Sequence, residues 1–272
     1  MTASRAASRA GPPLPQFWEF EAPAAWRSID FVSDLHLQAS QPRTALALAA
    51  HLRDTRADAV FILGDLFETW VGDDARHDAF EAHIADILKD GSARRSIAFM
   101  AGNRDFLLGA SFLQECGVMA LPDPTVLVAF GERLLLTHGD ALCLGDIAYQ
   151  RFRREVRTEH WRQTFLARPL EQRRALAARM REASAEHQRQ HPAQSEADVD
   201  PAAAVQWMHE AATPTLVHGH THRPATEQIA PGFTRVVLTD WELGRTPARC
   251  GVLRLSGRGL ERIAPAGLAP AA

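Results

Sequence analysis

Short, nearly continuous apolar runs recur along the chain and alternate with stretches whose apolar residues fall three and four positions apart. The first pattern predicts buried strands and the second amphipathic helices. Ser28–Val32 (SIDFV) reads as a strand, 44–53 (TALALAAHLR) as a helix, 58–63 (DAVFIL) as a second strand, 78–89 as a second helix and 96–101 (SIAFMA) as a third strand. Residues 126–130 and 133–137 flank Gly131-Glu132 and predict a hairpin, and 215–217, 234–239 and 251–255 supply further strands. Strands alternating with helices predict a layered α/β fold, and the hairpin and late strands predict a mixed or paired sheet.

Between 149 and 190 the pattern changes. Strand signals vanish, helix formers dominate, and Phe152/Val156, Trp161/Phe165 and Leu176/Met180 are apolar pairs at i,i+4. This predicts a helical insertion in a core made of 28–148 and 202–260. The polar stretch 191–201, which holds Pro192 and Pro201, is expected to be a loop that closes the insertion, so that insertion and loop together span 149–201. Residues 1–27, rich in proline and alanine, are expected to be a disordered extension. Their first residues contain no apolar segment of the kind a secretory signal needs.

At 272 residues and 46% hydrophobic content, one large domain suffices and a sizeable core can be buried. No apolar run is long enough to span a bilayer. The net charge of −3 argues against a general nucleic-acid binder, and no nucleic-acid partner is expected. Charge is unevenly divided. Residues 149–190 carry eleven arginines against five glutamates, a local balance of +6 that leaves −9 for the rest. Cys116, Cys143 and Cys250 show no paired spacing and read as reduced packing thiols.

Five short motifs change the picture from fold to chemistry: Asp34-Leu-His36, Gly64-Asp65, Gly102-Asn103-Arg104-Asp105, His138-Gly139-Asp140 and Gly219-His220-Thr-His222. Each follows a strand-like run, and strand exits on adjacent strands converge at one sheet edge. Aspartate, asparagine oxygen and neutral imidazole suit manganese, iron, zinc or cobalt, with no thiolate to select a softer ion. Two divalent ions about 3.5–4 Å apart supply the nucleophile and the charge neutralisation that phosphate-ester hydrolysis needs. One carboxylate must then be shared by both ions, and Asp65 is the best candidate. Taken singly, each aspartate is an ordinary turn or cap residue. Asp105 and Asp140 read equally well as that or as groups orienting the ligands, as do Asp73 and Asp74, and His218 reads as a strand-end residue rather than a ligand.

The five motifs, in this order, resemble the calcineurin-like metallophosphoesterase superfamily over residues 28–240. The resemblance implies a β-sandwich flanked by helices. It implies that Asp34, His36, Asp65 and His222 hold one metal, and Asp65, Asn103, His138 and His220 the other. The strings SDLHL, LGDLFETWVGDD, GNRDFLLG, LLTHGDALC and HGHTHRP resemble more narrowly the UDP-2,3-diacylglucosamine pyrophosphohydrolase family. That family works in lipid A synthesis at the cytosolic face of the inner membrane, with manganese, and releases UMP and 2,3-diacylglucosamine 1-phosphate. It carries a helical insertion between the HGD and GHTH motifs.

The resemblance therefore implies a nucleotide-linked glycolipid substrate, peripheral membrane contact and two divalent ions. It implies that Asn103, Arg104 and His220 act on the phosphate, His220 as a ligand that also touches it, and that Asp146 and Ser184 bind substrate. Gln188 and His191 fall where the family's further substrate contacts lie and are candidates for the same role, although the family has Asn and Lys there and this chain departs from the pattern. The insertion reads either as a solvated helical hairpin or as a lid that holds acyl chains and turns arginines toward anionic lipid. The resemblance favours the lid. The competing readings of the whole are a phosphodiesterase or pyrophosphatase acting on a soluble nucleotide, and a non-catalytic scaffold that keeps the fold.

Overall fold

The structure is a computed structural model that describes residues 14–190 and 197–267. Its strands, numbered along the chain, form two six-stranded sheets. The first sheet is built on β2 (Ser28–Val32), β3 (Ala59–Leu63) and β4 (Ser96–Met100), which run parallel in the middle. β5 (Met119–Ala120) extends it parallel on one side, while β11 (Val252–Ser256) and β12 (Gly259–Ile263) extend it antiparallel on the other. β3 is AVFIL and is buried throughout, as a central strand covered on both faces must be. Its alternate residues divide between two cores. Val60 and Ile62 face α1 (Pro42–Asp54), α2 (Ala79–Ser92) and α3 (Ala110–Glu115), whereas Ala59, Phe61 and Leu63 face the second sheet.

The second sheet runs β1 (Trp18–Glu21), β6 (Thr125–Ala129), β7 (Glu132–Thr137), β8 (Thr215–His218), β10 (Phe233–Val237), β9 (Ala225–Ala230). The predicted hairpin is β6–β7. Phe130 and Gly131 at its tip have φ of 55° and 86°, the two positive angles that let a two-residue turn follow the strand twist. Leu127, Leu134, Leu136, Val217 and Val236 meet the first sheet. Val126, Leu135 and Leu216 face outward and are covered by Ala203, Ala204, Trp207 and Met208 of α7 (Pro201–Glu210). The architecture is thus two mixed sheets face to face with helices outside. β7 and β8 are parallel neighbours, so their carboxyl ends share an edge. The carboxyl ends of β2, β3 and β4 share the corresponding edge of the first sheet.

Residues 17–27 correct the expectation of a disordered extension over 1–27. β1 pairs in parallel with β6, Trp18 opposite Thr125. Phe17 and Phe20, three apart on a strand, reach opposite faces: Phe17 meets Trp207, while Phe20 and Trp26 both lie edge-on to Phe61. The composition is loop-like, but these aromatic rings supply the burial that holds the strand. Residues 1–13 lie outside the described residues. In the 149–201 stretch, α4 (Ile147–Val156), α5 (Glu159–Leu166) and α6 (Leu170–Gln190) follow one another. Cys116, Cys143 and Cys250 are free thiols, the first two buried.

One buried charge in this frame makes a pH prediction. Asp30, fully buried on β2, accepts from Arg254 Nε and Nη2 at 2.7 and 2.8 Å and from Thr55 Oγ1 at 2.6 Å, with His51 Nε2 3.3 Å away. Burial alone would raise its pKa. The bonds from His51, Arg254 and Thr55 outweigh that and lower it from 3.8 to about 2. A group depressed on folding stabilises above its unfolded pKa and loses that contribution as pH falls through the folded one. Asp30 should therefore contribute about 2 kcal/mol at neutral pH, lost between about pH 4 and 2. Urea unfolding of the wild type and Asp30→Asn across that range should show their difference shrinking on acidification; a pH-independent difference would refute the assignment.

Candidate functional site

The five motifs lie at the strand exits predicted for them. Asp34 and His36 follow β2, Asp65 follows β3, Asn103 and Arg104 follow β4, His138 follows β7, and His220 and His222 follow β8. The loops from the two sheets are stitched together. The backbone N–H of Gly219 donates to the His138 carbonyl at 3.0 Å, and that of His220 donates to Asp34 Oδ2 at 2.9 Å. Among the described residues seven non-glycine residues have positive φ, and Asp34, His36, Asp65, His220 and His222 are five of them, at 47° to 65°. Left-handed backbone costs an L-residue about 1–2 kcal/mol, and its concentration on the site turns these side chains inward.

The seven candidate ligands converge into two groups that share Asp65. In the first, His36 Nε2 and His222 Nε2 lie 3.2 Å apart. Asp34 Oδ1 is 3.3 Å from His222 Nε2 and 3.9 Å from His36 Nε2, and Asp65 Oδ2 is 3.9 Å from His36 Nε2. In the second, Asn103 Oδ1 lies 2.9 Å from both His138 Nε2 and His220 Nδ1, and Asp65 Oδ1 is 3.7 Å from His138 Nε2. The outward nitrogens are engaged elsewhere. His36 Nδ1 meets Glu68 Oε2 at 2.9 Å, and His138 Nδ1 donates to the Leu63 carbonyl at 2.9 Å. That leaves an Nε2 lone pair of each ring aimed inward, the arrangement a metal-binding imidazole requires. Two such nitrogens facing a carboxylate oxygen serve one another poorly and a divalent cation well, so the donor set fits.

Electrostatics agree with a cation-seeking centre. Burial pushes the His138 imidazole down, but Asp65, Asp34 and Asp140 outweigh it and set it up to about 9. Burial likewise opposes charge on Asp34, yet the hydrogen bond from His222 and the neighbouring imidazoles hold its carboxyl far below the usual range. His220 is pushed down to about 4 by burial and by repulsion from His138. Asp105 is driven up to about 7 by burial and by the charge of Asp65. It is no ligand: its oxygens accept from the backbone N–H of Leu66 at 2.7 Å and of Gly102 at 2.8 Å, tying the β3 and β4 loops together. Asp73 is structural too, accepting from Trp70 Nε1 and from the N–H of Gly109 and Phe112. His218, fully buried, contacts its neighbour's carbonyl rather than the cluster.

The substrate candidates lie less close together. Arg104 borders the cluster, 3.7 Å from Glu68. Asp146 caps α4 by accepting from the Tyr149 N–H at 2.8 Å. Ser184 is exposed on α6. The Gln188 side chain and His191 lie outside the described residues.

The sequence reading missed Tyr149, Arg153 and Arg157 around the cluster. Asp140 accepts from Tyr149 Oη at 2.5 Å and Arg153 Nε at 2.8 Å, and the Tyr149 ring stacks on His220 at 6.1 Å. Arg157 donates to the Gly102 carbonyl at 2.9 Å. The spacing of Tyr149, Arg153 and Arg157, one helical turn apart, was the available signal. The arginines of the insertion are also less free for lipid than their sum suggests. Arg153 and Arg157 pair with Asp140, Arg173 with Asp74, Arg174 with Asp78 and Arg181 with Glu68. Between α6 and the β3 loop lies a cavity of ≈ 210 Å³, lined by apolar Trp70, Val71, Ala75, Ala177 and Ala178 together with Arg174 and Arg181 and the acids Asp78 and Glu81.

Comparison with known proteins agrees with this geometry. The family model for calcineurin-like phosphoesterases matches residues 27–224, and the chain belongs to that family, whose members use divalent metals. Curated relatives named UDP-2,3-diacylglucosamine hydrolase are similar over nearly their whole length. The protein of Chromobacterium violaceum is 42% identical over 87% of this chain and 98% of its own. That of Ralstonia nicotianae is 43% identical over 83% and 88%, and that of Xanthomonas oryzae pv. oryzae 41% over 85% and 96%. At that identity and coverage the chain is a member of the UDP-2,3-diacylglucosamine hydrolase family.

Two glycines test how tightly the site is built. Gly64 has φ +90°, and a Cβ there would stand 2.3 Å from His138 Nδ1; Gly131 has φ +86° with nothing within 4 Å. Gly131→Ala should cost about 1 kcal/mol, the backbone penalty alone, and Gly64→Ala at least about 2 kcal/mol more. Equal losses in urea unfolding would mean that the approach to His138 constrains nothing.

Proposed function

We propose that this protein hydrolyses the pyrophosphate of UDP-2,3-diacylglucosamine to UMP and 2,3-diacylglucosamine 1-phosphate, in lipid A biosynthesis. The observation that carries the reading is Asp65, whose two oxygens face two separate imidazoles, His36 at 3.9 Å and His138 at 3.7 Å. Asp34, His36, Asp65 and His222 would hold one divalent ion, and Asp65, Asn103, His138 and His220 a second, with Mn2+ as the native metal. When bound, the ions supply a nucleophile at neutral pH and neutralise phosphate charge.

The chain's own groups do the rest. Asn103 and Arg104 stabilise charge on the phosphate oxygens, and His220, held neutral by burial, contacts the same group. Asp146 and Ser184 bind substrate from the insertion side. Gln188 and His191, where this chain departs from the family's residues, are the remaining candidate substrate contacts. A sugar-phosphate leaving group is stable as an anion, so no general acid is required. The insertion serves as the lid, and the apolar part of the cavity beside Trp70, formed by Trp70, Val71, Ala75, Ala177 and Ala178, suits an acyl chain.

No helix among the described residues is long and apolar enough to cross a membrane. We place the protein peripherally on the cytoplasmic face of the inner membrane. Ile147 and Phe152 are exposed on α4 beside Arg151 and Arg154, a mixture suited to an anionic lipid surface. Ile147→Glu with Phe152→Glu should lower co-sedimentation with phosphatidylglycerol vesicles several-fold without changing the fold by circular dichroism. Unchanged binding would remove this face from the membrane contact.

The function is tested by UMP release from UDP-2,3-diacylglucosamine with and without Mn2+. Release should require the metal, and Asp65→Asn should reduce it at least about 10²-fold. Near wild-type turnover in the variant would refute the shared-ligand role. Equal rates on UDP-sugars lacking acyl chains would favour a soluble nucleotide substrate instead.

A further inference from the structure

Glu68 stands three residues beyond Asp65, and its backbone is fixed against the first ligand loop. Its N–H donates to the Leu37 carbonyl at 3.1 Å, and the Leu37 N–H donates to the Leu66 carbonyl at 2.9 Å. The side chain is 15% exposed and both oxygens are engaged. Oε2 lies 2.9 Å from His36 Nδ1, while Oε1 accepts from Arg181 Nη2 at 2.5 Å and lies 3.7 Å from Arg104 Nη1. One carboxylate thus touches a candidate metal ligand, the arginine placed beside the phosphate, and the helix that covers the site. Ser184 follows Arg181 by three positions and shares its helix face. Two turns before Arg181, Arg174 pairs with Asp78, so two ion pairs pin α6 across the cavity.

We propose that Glu68 is a positioning residue that couples the insertion to the metal centre. With one oxygen it fixes the His36 tautomer and raises the basicity of the inward Nε2. With the other it seats α6 through Arg181 and holds Arg104 at the cluster. The inference rests on the metal-binding and substrate reading above, and it adds that metal affinity and substrate affinity share one carboxylate. A residue that merely latched the helix would affect the second and not the first.

The test compares Glu68→Gln, which keeps volume and an acceptor oxygen but loses the charge, with Arg181→Gln, which releases the helix and leaves Glu68 on His36. Mn2+ binding to the metal-stripped proteins is read by calorimetry without substrate, and KM and kcat are read separately at saturating Mn2+. Glu68→Gln should weaken one Mn2+ site about tenfold or more and raise KM. Arg181→Gln should raise KM while Mn2+ affinity stays within twofold of wild type. Glu68→Asp, which retains the charge, should recover part of the Mn2+ affinity and serves if the Gln variant does not fold. Wild-type Mn2+ affinity in a folded Glu68→Gln protein overturns the proposal, leaving at most a latch. Failure of the wild type to release UMP while it binds two Mn2+ would instead overturn the substrate reading, and the comparison of metal affinities would still decide the role of Glu68.

Discussion

The structure turns on the burial of like charges at one edge. Asp34, Asp65, Asp105 and Asp140 are all within 2% of complete burial, and each buried ion carries a desolvation penalty of several kcal/mol after relaxation. Such a cluster persists only where each carboxyl group is answered by hydrogen bonds or by opposite charge. Asp105 and Asp34 are answered by backbone N–H groups, Asp140 by Tyr149 and Arg153, and Asp65 by the Arg104 N–H at 2.8 Å together with two sets of imidazoles. The imidazoles are turned so that their lone pairs face the carboxylates, which completes a site for divalent cations. The left-handed loop backbones and the glycines at the strand exits are the geometry that this convergence demands.

The same constraint explains how charge is divided along the chain. The core carries an acidic surplus and the insertion a basic one. The two are joined by specific contacts: Asp140 with Arg153, Asp74 with Arg173, Asp78 with Arg174 and Glu68 with Arg181. Arg173 is itself buried and donates from Nη1 to the Val71 carbonyl of the core, so α6 is held by more than surface attraction, which alone is worth little. Two of the acids that receive these arginines, Asp140 and Glu68, stand two and three residues from the candidate ligands His138 and Asp65. The insertion is therefore docked onto the core beside the candidate centre, with Glu68 in contact with both Arg181 and His36.

The convergence of the seven candidate ligands was legible because each sits in a short motif after an apolar run, and the strand period brings those exits to a common edge. The central strands were legible because covered strands read as continuous apolar runs. What escaped was decided by tertiary partners. β1 hides in a proline-rich stretch and is held by Phe61 and Trp207, far along the chain. β9, ATEQIA, is largely exposed at the sheet edge and shows no alternation to recognise. α7 carried a signal that went unread, since Asp200 caps it by accepting from the Ala203 N–H at 2.9 Å and Pro201 opens it. Glu68 lay inside a recognised string, but its role exists only once Arg181, more than a hundred residues later, is brought to it.

That docking also narrows what the insertion can offer a lipid. Val156 and Phe165 are buried, and Trp161 packs against Phe106, so most of the apolar pairs that suggested an acyl-binding face are fasteners instead. The arginines with core partners are likewise committed. Ile147, Phe152 and Leu166 remain exposed on the insertion, and the cavity beside Trp70 stays open to a tail. An acyl chain entering that cavity would run between Arg174 and Arg181, the two residues that pin α6, and its seating would bear directly on the pair that joins the helix to Glu68. On the proposed reading, seating of the apolar part of the substrate and alignment of the centre would then be linked, because Glu68 contacts both Arg181 of the helix and the candidate ligand His36.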